Sequence, residues 1–240
     1  VNATREPLNN KKLRQALGWT IDRVTFMKEF TGGIGRPGSS PIPPGHWAYS
    51  ETVDKYYGYD LAKAKALLAE AGFPDGKGLR PLTFLVGVGY PEFMSGSEMM
   101  QAALGSIGVQ TKIETLDVAA WLKRIADRDY DLSWDYPGRG SGDPDFLFKG
   151  VVWGPGEKNW WGIDKNSLPA YVDGVIAGGS VTDQKVRRES YVKALEAQVE
   201  FGTPLVVGQR AIVSAHRDYV KGYVSHPLQL VDYGPIWIDK

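Results

Sequence analysis

Between Pro81 and Tyr136 the sequence alternates strand-like and helix-like segments so closely that few architectures accept it. PLTFLVGVG (Pro81–Gly89) is an apolar run of strand length, and VQTKIETL (Val109–Leu116) alternates with period two, as a half-buried strand does. Between them, Ser95 or Ser97 is placed to cap a helix carrying Met100, Ala103, Leu104 and Ile107, ended by Gly108. Asp117 then caps the helix VAAWLKRIADRD, and YDLSWDY (Tyr130–Tyr136) follows as a further strand. Strand, helix, strand, helix, strand predicts an α/β lobe.

The flanking sequence fits helices around such a layer. From Asn10 to Phe30, Leu13, Leu17, Ile21, Val24 and Met27 form one helical stripe, closed by Gly32-Gly33. GGIGRPGSSPIPPGHWAY carries too much glycine and proline for a regular element, so it is a long ordered loop or a linker, and its aromatic tail favours docking. Asp60 caps a helix with Leu61, Ala64, Leu67, Leu68 and Ala71 on its apolar face, stopped by Gly72. Downstream, Ser167–Gly178 reads as a helix. Thr182 or Asp183 caps a longer one through Phe201, with Val186, Ser190, Val192, Leu195 and Val199 facing inward. TPLVVGQ (Thr203–Gln209) reads as a buried strand, and the tail as short strand and loop. Neither a repeat nor an internal domain boundary is evident.

Composition narrows the chemistry. The 240 residues carry a formal net charge of +0, so no basic field draws the chain to nucleic acid or anionic membrane. There is no eighteen-residue apolar run of the kind that spans a membrane, and no signal peptide at Val1. With no cysteine, disulfides, zinc-thiolate sites and thiol nucleophiles are ruled out within these residues. His46, His216 and His226 stand far apart with no ligand spacing, so neither metal nor cofactor is expected.

YPGRGSGDPDFLF (Tyr136–Phe148) holds the densest concentration of candidate chemistry. It lacks the lysine-serine or lysine-threonine ending of a phosphate loop and the spacing of a dinucleotide fingerprint. Asp135, Asp143 and Asp145 lie close enough in sequence to suggest paired-carboxylate hydrolysis, but aspartate beside glycine and proline is also ordinary turn chemistry. Because the run follows a strand end, where open α/β sheets bind ligands, it is a candidate cleft wall. Trp134, Tyr136, Trp153, Trp160 and Trp161 crowd around it in loop-like sequence and suit a recognition surface; packing beneath the loops is the competing account.

Several stretches, in order, resemble one family. They are KLRQALGWTIDRVTFMKEFTGGIGRPGSSPIPPGHWAY, YDLAKAKALLAEAGFPDG, LGSIGVQTKIETLDVAAWLKRIADRDYDLSW and GDPDFLF. The sequence is similar to the family 5 solute-binding proteins of ABC importers, the dipeptide, oligopeptide and nickel type. That resemblance implies a periplasmic-binding-protein-like fold (type II, cluster C), a mixed sheet flanked by helices. It implies that residues 1–240 are the C-terminal ligand-binding lobe of a two-lobed protein whose N-terminal lobe is absent, with 1–9 and 227–240 near the hinge connections. It further implies a monomeric binder without enzymatic activity, periplasmic or tethered outside the membrane. Such a binder would pass a small-molecule solute to an ABC permease and its ATPase subunits.

Two features set the expected site apart. Dipeptide-binding relatives carry an aspartate two residues before Gly-Asp-Pro that pairs with the peptide's α-amino group; here that position is Gly140, preceded by Arg139. The resemblance therefore points to a small polar or anionic solute, opine-like or a modified amino acid, with a short peptide still open. Arg139 is placed to hold a carboxylate or phosphate, or to pair locally. Asn159, Trp160 and Trp161 match the family's asparagine-aromatic stretch and, with Trp134, Tyr136 and Trp153, are candidates to stack on the solute. The other readings are a ligand-sensing lobe of a regulatory protein and, last, a carboxylate-dependent hydrolase.

Overall fold

The stripe from Asn10 to Phe30 is two helices, α1 (Lys11–Trp19) and α2 (Arg23–Thr31), in a computed structural model that describes residues 1–135, 142–148, 159–211, 213–226 and 231–239. Asp22 breaks the stripe. It adopts an extended backbone and its carboxylate accepts from the N–H groups of Val24 and Thr25, starting a new helix. The break turns Val24 out to solvent, while Leu13, Leu17, Ile21 and Met27 stay in the core. Gly32 then ends α2 in the left-handed region, φ 62°.

The glycine- and proline-rich loop is ordered and docked. It holds β1 (Gly35–Pro37), the buried residues Ser39, Ser40, Ile42 and Ala48, and runs into one turn of helix, α3 (Glu51–Asp54). Asp54 organises it: its carboxylate pairs with Arg36 and accepts from Tyr49 Oη at 3.0 Å and from the Ser40 N–H at 3.3 Å. Three donors thus converge on one buried carboxylate and satisfy it.

Asp60 caps α4 (Leu61–Glu70) as expected, and Gly72 follows with φ 95°. Then comes the central layer. β2 (Leu82–Gly87) lies between β3 (Thr111–Leu116) and β4 (Leu132–Ser133), parallel to both. α5 (Pro91–Gly105) and α6 (Val118–Ala126) make the crossovers that parallel pairing requires. The antiparallel pairs occur in separate two-stranded ribbons, β1 with β5 (Gly208–Arg210) and β6 (Val220–Lys221) with β7 (Trp237–Ile238).

α5 begins a turn earlier than either serine implies. Pro91 occupies its first turn, where a missing N–H costs nothing, and the Ser95 and Ser97 hydroxyls instead donate back to the carbonyls of Pro91 and Phe93. β4 is shorter than YDLSWDY, since pairing with β2 covers only Leu132 and Ser133. Segment 203–207 is not a strand: ladder pairing is confined to 208–210, and Pro204 has no N–H to offer.

α7 (Pro169–Gly179) and α8 (Gln184–Phe201) form an antiparallel pair, α8 capped by Asp183. The buried face of α8 is Tyr191, Ala194, Leu195, Gln198 and Val199, whereas Val186 is exposed. Two apolar clusters result. One packs α1, α2, α4 and α5 on the sheet; the other joins α7, α8, the docked loop, Phe148, Trp161 and Ile163. Trp19 and Leu205 touch both, so the two halves are welded by apolar contact. Each wholly buried leucine, such as Leu82, Leu85 or Leu104, contributes about 1.5–3 kcal/mol.

Two buried arginines tie the helices across this seam. Arg14 donates to the carbonyls of Leu8, Asn9 and Phe201 and lies 4.1 Å from the Phe201 ring. Arg23 donates to those of Gly18, Ile21 and Val206. Burial lowers both guanidinium pKa values to about 10, still far above neutrality, so both stay charged.

Candidate functional site

The carboxyl ends of β2, β3 and β4 open on one edge, and the sequence there places two tryptophans with little freedom. Trp121 on α6 packs against Gly87, where a Cβ would come within 2.8 Å of the indole. Its Nε1–H donates to Ser133 Oγ at 3.0 Å, which donates in turn to the Leu85 carbonyl at 2.9 Å. Trp134, directly after β4, repeats the device: Nε1–H donates to Ser97 Oγ at 2.8 Å, and Ser97 to the Phe93 carbonyl at 2.7 Å. Phe26, Phe30, Phe84 and Phe93 surround the Trp134 ring at centroid distances of 5.5–6.2 Å. Gly96 leaves room for Phe30 and Trp134 to meet. Trp134 is thus held on its edge and on its faces, a rigid floor with its polar atom already paired.

Beside this floor, Phe30, Thr31, Ile34, Glu92, Arg210, Ala211 and Val213 line a cavity of about 220 Å³. Arg210 faces Glu92 across it at 3.9 Å. Tyr90 and Val88, in the loop after β2, are exposed at the same edge, and Tyr90 lies 5.9 Å from Trp121. Aromatic faces, aliphatic walls and one charge of each sign suit a small polar compound with an apolar part.

The GDPDFLF segment is described from Gly142 to Phe148, and its aspartates have structural partners. Arg187 of α8 grips Asp143 with two parallel bonds of 2.9 and 2.7 Å. The Asp143 carboxylate also accepts from the Asp145 N–H, and Tyr191 Oη donates to Asp145 at 2.9 Å. Arg187 holds the Asp143 pKa below the usual carboxylate range, a poor setting for a general acid. Burial pushes Tyr191 up to about 12. Phe148 is wholly buried against Tyr171 and Tyr191.

The asparagine-aromatic stretch is internal as well. Asn159 closes a tight loop, accepting from the Ile163 N–H at 2.9 Å and donating to the Ile163 carbonyl. The Trp160 carbonyl accepts from Tyr130 Oη at 2.8 Å while its ring packs on the first apolar cluster. Trp161, only 4% exposed, belongs to the second. Tyr136, Arg139, Gly140 and Trp153 lie outside the described residues. The structure therefore brings Trp134 to the sheet edge, buries Trp161 and spends the Asn159 side chain on its own loop. Trp121, Tyr90, Phe30, Glu92 and Arg210 join the edge without having been singled out in the sequence; the glycines at 87, 89 and 96 beside aromatic residues were the available signal.

These features define an α/β fold of the type II periplasmic-binding-protein kind. A family model, "Bacterial extracellular solute-binding proteins, family 5 Middle", matches residues 1–158, and the chain belongs to that family, whose members bind solutes rather than turn them over. The dipeptide-binding protein of Escherichia coli K12 is 30% identical over 231 residues, which is 95% of this chain and 42% of that protein. The ABC transporter-associated periplasmic binding protein DppA from Helicobacter pylori, solved with the peptide STSA, superposes with a TM-score of 0.81 at 27% identity, covering all of this chain and 46% of that one. The PBP AgaA from A. tumefaciens R10, solved with agropinic acid, shares the fold at a TM-score of 0.79 and 23% identity, covering all of this chain and 49% of that one. The chain thus spans somewhat under half the length of these relatives.

Proposed function

We propose that this chain is the C-terminal lobe of the substrate-binding component of an ABC importer. It takes a small polar solute (a peptide, an opine or a related compound) at the carboxyl edge of β2, β3 and β4. A second lobe closes over that edge and excludes water. Residues 1–9 and 227–240 lie toward the hinge. Closure shifts the protein to a population that an ABC permease and its ATPase subunits accept, in the periplasm or at the outer face of the membrane. No bond is made or broken in the solute.

One observation carries this reading. Three parallel strands end together beside a pre-built aromatic floor, Trp134 held by Ser97 among four phenylalanines. Arg139, Tyr136, Trp153 and Trp160 stand as proposed solute contacts. The hydrolase reading loses its support because Asp143 and Asp145 are engaged by Arg187 and Tyr191.

A thermal-shift panel of di- and tripeptides, opines, sugars and aromatic acids on the full-length protein tests it. A true solute raises Tm progressively with concentration, as linkage requires, and is recovered unchanged. A compound consumed during the assay, or a panel with no shift at any concentration, contradicts the reading.

A further inference from the structure

Three elements build the cavity beside the Trp134 floor, and the backbone fixes each of them. α2 supplies Phe30 and Thr31 from its last turn, α5 supplies Glu92 from its first, and β5 supplies Arg210. Pairing of β5 with β1 sets Arg210 opposite Gly35, and the Ala211 N–H donates to the Ile34 carbonyl at 3.3 Å. Gly35 permits the close approach, since a Cβ there would come within 2.9 Å of the Met27 methyl and 3.0 Å of Thr31 Oγ1. Described contacts join the cavity to the floor: Phe30 stacks on Trp134 at 5.6 Å, and Phe93, next to Glu92, stacks on it at 6.2 Å.

Size, lining and charge together restrict what this cavity can hold. Its volume of about 220 Å³ is under the roughly 300 Å³ at which drug-sized pockets begin, room for one amino-acid-sized unit. Phe30, Ile34, Ala211 and Val213 form apolar walls, and Ile34 and Val213 are exposed, surface that an aliphatic group would cover. Glu92 and Arg210 face each other at 3.9 Å, whereas a direct charge-assisted N–H···O bond is about 2.7–2.9 Å, so they are not closed on each other. A pair this exposed contributes little to stability by itself. A guanidinium has several N–H donors and a carboxylate several acceptor sites, so each can serve the other and a guest at once.

We infer that Glu92 and Arg210 read the head group of the solute: Glu92 takes an ammonium and Arg210 a carboxylate carried on the same carbon, while Phe30, Ile34 and Val213 cover an aliphatic remainder. The inference rests on the proposed reading that solute binds at this edge, and narrows it to an amino acid or an N-substituted amino acid of the opine kind. Charges on one carbon lie side by side, as the two protein charges do, so both are met at once. The terminal charges of an extended dipeptide stand about 7 Å apart, too far to meet both partners.

Isothermal titration of the full-length protein tests this with L-leucine, N-(carboxymethyl)-L-leucine, N-acetyl-L-leucine, L-leucinamide and L-alanyl-L-leucine. Wild type is compared with Glu92→Gln and Arg210→Gln. Arg124→Gln is the control, because Arg124 pairs with Glu114 and Asp129 and does not line the cavity. The expected result is that L-leucine or its N-carboxymethyl derivative binds at least tenfold tighter than the dipeptide; the tighter of the two tells an amino acid from an opine-like solute. Each cavity variant weakens that probe at least tenfold, and the control stays within twofold. Glu92→Gln leaves N-acetyl-L-leucine, which has no ammonium, bound as in wild type, and Arg210→Gln does the same for L-leucinamide, which has no carboxylate. Either cavity variant within twofold of wild type, a variant that weakens all five probes alike, or a dipeptide that binds tightest overturns the inference. If wild type binds none of the five while another panel compound raises its Tm, the head-group inference falls and the solute-binding reading stands; if no compound raises Tm, both fall.

Discussion

Trp134 and Ser97 meet at 2.8 Å, indole N–H to hydroxyl, and Ser97 passes its own proton to the Phe93 carbonyl. A residue that sequence marks as a solute contact is thereby fixed by the helix that follows β2. Ser97 is fully buried, so Ser97→Ala strands the indole N–H and should cost about 1–3 kcal/mol. Chemical denaturation measures it. Trp134→Phe keeps the ring stack but leaves Ser97 without its donor, and should also cost stability.

Arg14 should be among the least replaceable residues. Arg14→Met keeps much of the stem but abandons the carbonyls of Leu8, Asn9 and Phe201, costing about 3 kcal/mol or more. Arg14→Lys restores the charge without the three-way geometry and should recover only part of the loss. Thermal denaturation of both variants against wild type checks the order.

The glycine-rich loop predicts its own weak point. A Cβ on Gly38 would collide with the Asp54 carboxylate, which pairs with Arg36 and receives Tyr49 and Ser40. Gly38→Ala should therefore disrupt the docked loop, seen as faster amide exchange at Ser39 and Ser40 and a lower Tm. Asp54→Asn should give the same exchange pattern, because it removes the charge that holds Arg36.

Acid should act partly through Asp143. Its pKa is lowered in the folded protein by the bonds from Arg187, so its contribution is complete above the unfolded value near ~3.9 and is lost as pH falls through the folded value. The stability difference between wild type and Arg187→Gln should be constant above about pH 5 and shrink below about pH 4. Because the Asp143 side chain is 39% exposed, the charge-dependent part should be about 1 kcal/mol or less. Denaturant midpoints across pH 3–7 measure it.

What the sequence made legible was local. Asp60, Asp117 and Asp183 cap the helices expected of them, because a carboxylate reaching an N–H three residues on needs no tertiary context. Where long-range packing decided, pattern reading fell short. The stripe through Val24 ran on past the cap at Asp22, and α8 turned Tyr191 and Ala194 inward in place of Val186 to meet α7. Segment 203–207 has strand composition but no ladder partner. At the site, the strand-end position of Trp134 was visible from alternation alone. The interior placement of Trp161 and the grip of Arg187 on Asp143 depend on contacts across 40 residues or more of chain, and composition carries no trace of them.

The central claim is that solute binds at the carboxyl edge of the parallel sheet. Amide hydrogen exchange of the full-length protein, with and without the panel compound that most raises its Tm, tests this most directly. The account predicts solute-dependent protection concentrated in 87–90, 116–118 and 134–148, with the α7–α8 turn unaffected. Protection confined to other parts of the lobe, with those three segments exchanging as in the free protein, would contradict it.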